Sequence, residues 1–223
     1  MELLMRRESP AQLLAFFQSV AENLTVSFAD SARAVPGRNR PMIHARGSLR
    51  RALMDDAFRR AATSAGMVAS TGTTLPPTWS YPIARVGAFS ISLGVVDRQT
   101  NRSARRLRSR GNYVHSLVAR NAALNPQTSL FGDSKASVST VIPKGAFGAL
   151  VVVESSVKAP DTPLYMGLMV PSANLKGTYY QWSLEYLIRL LRDKVSEGKM
   201  PKRRVLERKK LKVRVKPLAP KQG

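Results

Sequence analysis

Hydrophobic positions along this chain recur at helical spacing near both ends and at alternating spacing between them. Ser9-Pro10-Ala11-Gln12 has the form of a helix start, with Ser9 as N-cap, Pro10 at the first helical position and Gln12 completing a capping box. The stripe that follows, Leu13, Leu14, Phe17, Ala21, Leu24 and Phe28, predicts a helix that ends near Asp30. A second helix is expected over 48–66, where Met54, Phe58, Ala61 and Ala65 share one face and Gly66 suits a C-cap. Arg50, Arg51, Arg59 and Arg60 fall off that stripe and are expected at the surface. The stretch between, 31–47, is rich in Arg, Pro and Gly and reads as a linker.

Residues 71–82 read as a loop, because Pro76-Pro77 and Pro82 oppose regular structure. Phe89, Ile91, Leu93 and Val95 then alternate with Ser90, Ser92 and Gly94, the pattern of a half-buried strand. A short helix is expected from Asn112, using Val114, Leu117 and Val118 and stopping before Asn125-Pro126. Lys144-Gly145-Ala146-Phe147-Gly148 reads as a turn into a strand. Strands are expected over 137–142, 149–154 and 164–170, the middle one buried on both faces through Leu150-Val151-Val152-Val153. Leu184, Leu187, Ile188, Leu191 and Val195 form the apolar face of a closing helix, which Gly198 caps and Pro201 stops.

This order does not alternate as repeated βαβ units do. It predicts an α+β fold, a mainly antiparallel sheet with packed helices and a long basic C-terminal extension. The expected organisation is an N-terminal helix over 1–30, a linker over 31–47, a core domain over 48–198 and a basic arm over 199–223. At 223 residues and 43% hydrophobic, the chain can bury a sizeable core; with 7% aromatic residues, that core must rely on aliphatic side chains.

Charge changes the picture most. Lys and Arg number 36 against 14 Asp and Glu, a formal net charge of +22. A compact body with that excess repels itself unless anions or acidic surfaces neutralise it. Two segments concentrate the charge. Over 98–110 the chain places Arg98, Arg102, Arg105, Arg106, Arg108 and Arg110 among Asn, Ser and Gln with no acid. Over 199–223 it has eleven Lys and Arg against Glu207 alone, among them Lys202, Arg203, Arg204, Arg208, Lys209, Lys210, Lys212, Arg214 and Lys216. Both segments are candidate polyanion- or partner-binding sites.

The tail carries a second pattern. Leu211, Val213 and Val215 alternate with Lys212, Arg214 and Lys216 until Pro217. That is a strand with one apolar and one cationic face, suited to pairing with a sheet edge while alternate side chains fill pockets. The strand can dock on a neighbour or fold back on its own domain, and the sequence leaves both open. Every basic residue before Lys135 is Arg, whose planar fork suits bidentate contact with phosphate and carboxylate.

Catalytic chemistry is poorly represented. The chain has no cysteine, which excludes disulfides and thiolate catalysis. His44 falls in the linker and His115 in the short helix, neither with a metal-ligand partner at helical spacing. Adjacent carboxylates at Asp55 and Asp56 point about 100° apart on a helix, a poor geometry for shared acid–base work. Phosphate-binding, dinucleotide-binding and nucleophile-elbow motifs are missing. No catalytic, cofactor-binding or metal residues are expected. No apolar run approaches the ~20 residues of a membrane span, and the first residues do not form a secretory signal.

Residues 149–153, Pro163-Leu164-Tyr165-Met166 and Gly177-Thr178-Tyr179-Tyr180, leading into a helix over 181–195, resemble small phage neck and tail-completion proteins of the head–tail junction. That resemblance implies helices first, then strands and a closing helix, with basic loops and extended termini reaching adjacent subunits. It implies a non-enzymatic structural protein of a virion, a homo-oligomeric ring that binds other structural proteins or packaged DNA. The alternative is a nucleic-acid-binding basic protein, ribosome-associated for example, whose cationic groups contact DNA or RNA phosphates. Location in the virion follows from the resemblance, and a cytoplasmic, unsecreted protein follows otherwise.

Overall fold

The structure is a computed structural model, and it describes residues 2–5, 8–37, 39–74, 80–96, 112–124, 144–156 and 158–199. The expected strand over 137–142, the Arg-rich segment and the tail beyond 199 lie outside the described residues.

A short helix α1 (Glu2–Met5) precedes two long ones, α2 (Pro10–Ala34) and α3 (Arg40–Ser64). The Ser9 hydroxyl accepts the Gln12 amide N–H at 3.1 Å, as an N-cap should. Gln12 does not close a capping box; its side-chain amide donates to the Ala65 carbonyl at 3.4 Å and ties the start of α2 to the end of α3. The buried stripe of α2 is Leu13, Phe16, Phe17, Val20, Leu24 and Phe28, so Phe16 and Val20 take the central places expected for Leu14 and Ala21.

The expected linker is mostly helix. Residues 31–34 extend α2 and 40–47 belong to α3, leaving only 35–39 between them. The cause is local: the Asn39 side chain accepts the Met42 amide N–H at 3.0 Å, and Pro41 sits in the first turn, where its missing donor costs nothing. Gly66, at a φ of +69°, ends α3 in the left-handed region that only glycine enters without strain.

A six-stranded sheet follows: β1 (Val68–Thr73), β2 (Ser80–Val86), β3 (Phe89–Val96), β4 (Phe147–Ser155), β5 (Pro163–Pro171) and β6 (Thr178–Ser183). Spatial order equals chain order, and every neighbouring pair is antiparallel except β3–β4. The architecture is α+β with a mostly antiparallel sheet, as the element order implies. Helix α4 (Asn112–Val118), continued by a 3-10 turn (Ala119–Leu124), lies in the connection between the two parallel strands. The closing helix is α5 (Leu184–Lys199).

Two expectations about strands are corrected. Residues 71–82 are no simple loop, because β1 and β2 pair across it and Thr71 faces Pro82. Pro82 is tolerated because the β2–β3 ladder begins only at Ala84 and the Ser92 hydroxyl donates to the Pro82 carbonyl at 2.7 Å. At the other edge, residues 178–183 form β6, whose aromatic residues suit a pleated surface. The helix therefore starts at Leu184, where the Ser183 hydroxyl accepts the Tyr186 N–H at 3.1 Å, and it runs through Gly198 to Lys199.

The core has two parts. Helices α2, α3 and α5 pack on one face of the sheet around Phe16, Phe58, Ile91, Leu93, Val151, Leu168 and Leu187. Helix α4 covers the other face with Val114, Leu117 and Val118 over Leu150, Val152 and Met169. The two-sided cover explains why β3 is buried on both faces and not half-buried. Its inward serines are satisfied: Ser90 donates to the Gly145 carbonyl at 2.9 Å, as Ser92 does to Pro82. Gly148 on β4 permits the close approach of α4, since a Cβ there would strike the Leu117 carbonyl.

Candidate functional site

Every basic residue expected to bind a polyanion or partner (Arg98, Arg102, Arg105, Arg106, Arg108 and Arg110, and Lys202 through Lys216) lies outside the described residues, as do Leu211, Val213 and Val215. The described residues hold a different cationic feature, on α3.

Because α3 begins at Arg40, His44, Gly47, Ser48 and Arg51 fall on one helical face at spacings of three and four. That face and its neighbour, Ile43, Arg50 and Met54, wall a cleft of about 690 Å³. Strands β1, β3 and β4 all run in the same direction, so their carboxyl ends reach one end of the sheet. Thr74, Val95, Val153 and Ser155, from those ends, form the floor with Phe28. Tyr113 closes the side from α4, held by its hydroxyl donating to the Leu93 carbonyl at 3.1 Å.

Two arginines, Arg50 and Arg51, line this cleft, and Arg46 acts on the charge of Arg50 without lining it. Arg51 is neutralised by Asp55, with Nε 3.1 Å from Oδ1. Arg46 is buried and donates to the Val35 and Gly37 carbonyls at 3.2 and 3.4 Å. Arg50 lies 4.1 Å over the Phe28 ring and donates to the Ser31 hydroxyl at 3.0 Å and the Pro160 carbonyl at 2.5 Å. Among the described residues no carboxylate pairs with Arg50 or Arg46. Burial, and then the charge of Arg46, lower the pKa of Arg50 to about 10, so it stays cationic at neutral pH in an environment that disfavours the charge. An anion in the cleft relieves that cost.

The expectation that Arg50, Arg51, Arg59 and Arg60 are exposed holds for Arg60 and is corrected for the other three, which are partly buried. A purely apolar stripe could not show this, because arginine buries its aliphatic stem and presents only its head. The signal available in the sequence was the helical spacing of His44, Ser48 and Arg51, obscured once 31–47 was taken as a linker.

Gly47 completes the cleft. It stands inside a helix, where glycine costs about 1 kcal/mol relative to alanine. Apart from its own turn of helix, a Cβ at this position meets nothing within 4 Å, so packing does not require its absence.

His44 is exposed on α3 and not in a linker, and His115 is exposed on α4. Asp55 is buried beside Arg51, while Asp56 is exposed and pairs with Arg60 at 2.8 Å, so the two carboxylates do point apart. Among the described residues no three potential metal ligands cluster, and no helix is long and apolar enough to cross a membrane.

Among the described residues the sheet ends in two edge strands, each paired on one side only. β1 is exposed along nearly its whole length, with Val68 at 51%. β6 carries Tyr180 and Trp182 stacked with centroids 5.5 Å apart and planes at 3°. Neither Val-Ala-Ser-Thr-Gly-Thr nor Thr-Tyr-Tyr-Gln-Trp-Ser contains a charge or a proline.

Comparisons with protein-family models, curated proteins and solved structures find no match for this chain.

Proposed function

We propose that the protein is a non-enzymatic structural subunit of a virion or similar large assembly, of the phage neck, head–tail connector or tail-completion kind, joined to its neighbours by strand addition. The observation that carries this reading is the β1 edge. Exposed edges template pairing, and proteins that stay monomeric block them with lysine, proline or a covering element. In a chain that is 22% charged, both edge strands lack any charge, and β1 is exposed as well. The alternation of Leu211, Val213 and Val215 with cationic residues supplies a strand suited to such an edge, with backbone bonds giving attachment.

Light scattering and negative-stain imaging of the purified chain test the proposal. A discrete ring supports it, and a monomer at all concentrations ends it. The formal charge of +22 favours a second reading, a nucleic-acid-binding protein whose basic segments contact phosphates. That reading expects log K for duplex DNA to fall against log salt concentration by about 0.9 per phosphate contacted. Affinity that does not change with salt removes it.

A further inference from the structure

We propose that the cleft between α3 and the carboxyl ends of β1, β3 and β4 is a binding site for a small organic anion, a carboxylate or phosphate head group on an apolar body, with Arg50 as the head-group ligand and Gly47 keeping the space open.

Three independent features select that ligand. The first is charge: Arg50 has neutral hydrogen-bond partners in Ser31 and Pro160, and no carboxylate among the described residues offsets it. The neighbouring charges are Arg46, which is also cationic, and the Arg51–Asp55 pair, which is already balanced. An incoming anion would supply a partner of opposite charge, and His44 and Ser48, which also line the cleft, offer further hydrogen bonds.

The second feature is the floor. Ile43 and Val95 are partly exposed in the cleft, over Phe28, Met54 and Val153, which are almost fully buried, so the lining suits an apolar body better than a bare phosphate or a sugar–phosphate backbone. A polyanion is better served by the exposed basic segments of the sequence. The cleft is open to solvent, and its volume of about 690 Å³ has room for a small molecule.

The third feature is Gly47. A helix interior gains stability from nearly any other residue, and apart from its own turn of helix nothing lies within 4 Å of where its Cβ would stand. Gly47 is exposed and lines the cleft, so a large side chain here has open space to enter on the cleft's rim. The position is thus open for a ligand to lie against the helix backbone.

Calorimetric titration of the full chain with octanoate, octyl phosphate and octan-1-ol tests the site. The expected result is saturable binding of at least one of the two anions at a single site, about tenfold or more tighter than the alcohol. The ratio of the two anions then identifies the preferred head group. The Met54 methyl resonance should shift on binding, since Met54 lines the cleft. Gly47→Leu keeps the charge unchanged and favours the helix; it should melt no lower than the wild type yet lose binding by about tenfold or more. Arg50→Met should reduce anion affinity to that of the alcohol, whereas Arg60→Gln, at an exposed pair on the same helix, should leave it unchanged. Should Arg50→Met fail to fold, Gly47→Leu decides alone. Anion binding that survives Gly47→Leu, that octan-1-ol matches, or that Arg60→Gln weakens as much as Arg50→Met overturns the proposal.

Discussion

Asn121 shows how much one side chain can hold. It is fully buried after α4, donates to the Gly148 and Pro171 carbonyls at 2.8 and 2.7 Å, and accepts the Gly148 N–H at 2.7 Å. It thereby joins the helical cover of the second face to β4 and β5. Asn121→Ala leaves three buried backbone groups without partners, and each such group costs about 1–3 kcal/mol. The expected loss is at least about 3 kcal/mol, read as a lower urea midpoint with an unchanged slope. A loss under about 1 kcal/mol would show that water replaces the side chain. Ser9→Ala removes an N-cap and should cost about 1 kcal/mol by the same measurement. The Ser9 cap is legible from Ser-Pro-x-Gln, since cap and helix are sequence neighbours. The Asn121 network is not, because its partners lie 27 and 50 positions away.

At the scale of elements, α5 depends on tertiary packing. Its anchors Leu184, Leu187 and Leu191 are buried against the sheet and α2, while Glu185, Arg189, Arg192 and Asp193 face water. Leu187→Ala should cost about 2–5 kcal/mol, with hydrogen exchange rising along α5 before the central strands. The helices were readable because their apolar spacing repeats over several turns. The edge strands were not. Residues 71–82 contain prolines and small polar residues, and their pairing is set by the partner strand rather than by intrinsic preference. Thr71→Lys, on exposed β1, tests the role of that edge. It should leave the melting temperature within about 2 °C, since exposed surface changes have small effects, while reducing the assembled species in light scattering. Unaltered assembly would move the contact away from β1.

For the whole molecule, the sign of the charge separates the two functional readings. Subunits at +22 repel one another, so self-association by strand pairing must overcome like charge. Raising salt from about 0.05 to 0.3 M shortens the screening length and should hold or increase the assembled fraction. Binding to DNA responds in the opposite direction, because added salt removes the gain from counterion release. Measuring particle size and DNA affinity across one salt series therefore distinguishes the two. A chain shortened to residues 1–199 sharpens the result: lost assembly with an unchanged melt points to the arm as the strand donor, while lost DNA affinity alone points to a phosphate clamp.

Periodicity determined by itself that this chain builds an α+β domain, where most of its helices lie, and that β4 is buried on both faces. These properties follow from near neighbours and from the polarity of the side chains, which act before any fold exists. The sheet order, the two edges, the two-sided burial of β3 and the cleft were decided only by tertiary structure. They depend on which strand lies beside which, and on α3 beginning at Asn39–Arg40 so that His44, Gly47, Ser48 and Arg51 align. The burial of Arg50 beside Arg46, with no carboxylate partner among the described residues, arises from chain segments distant in sequence, and no local pattern encodes it.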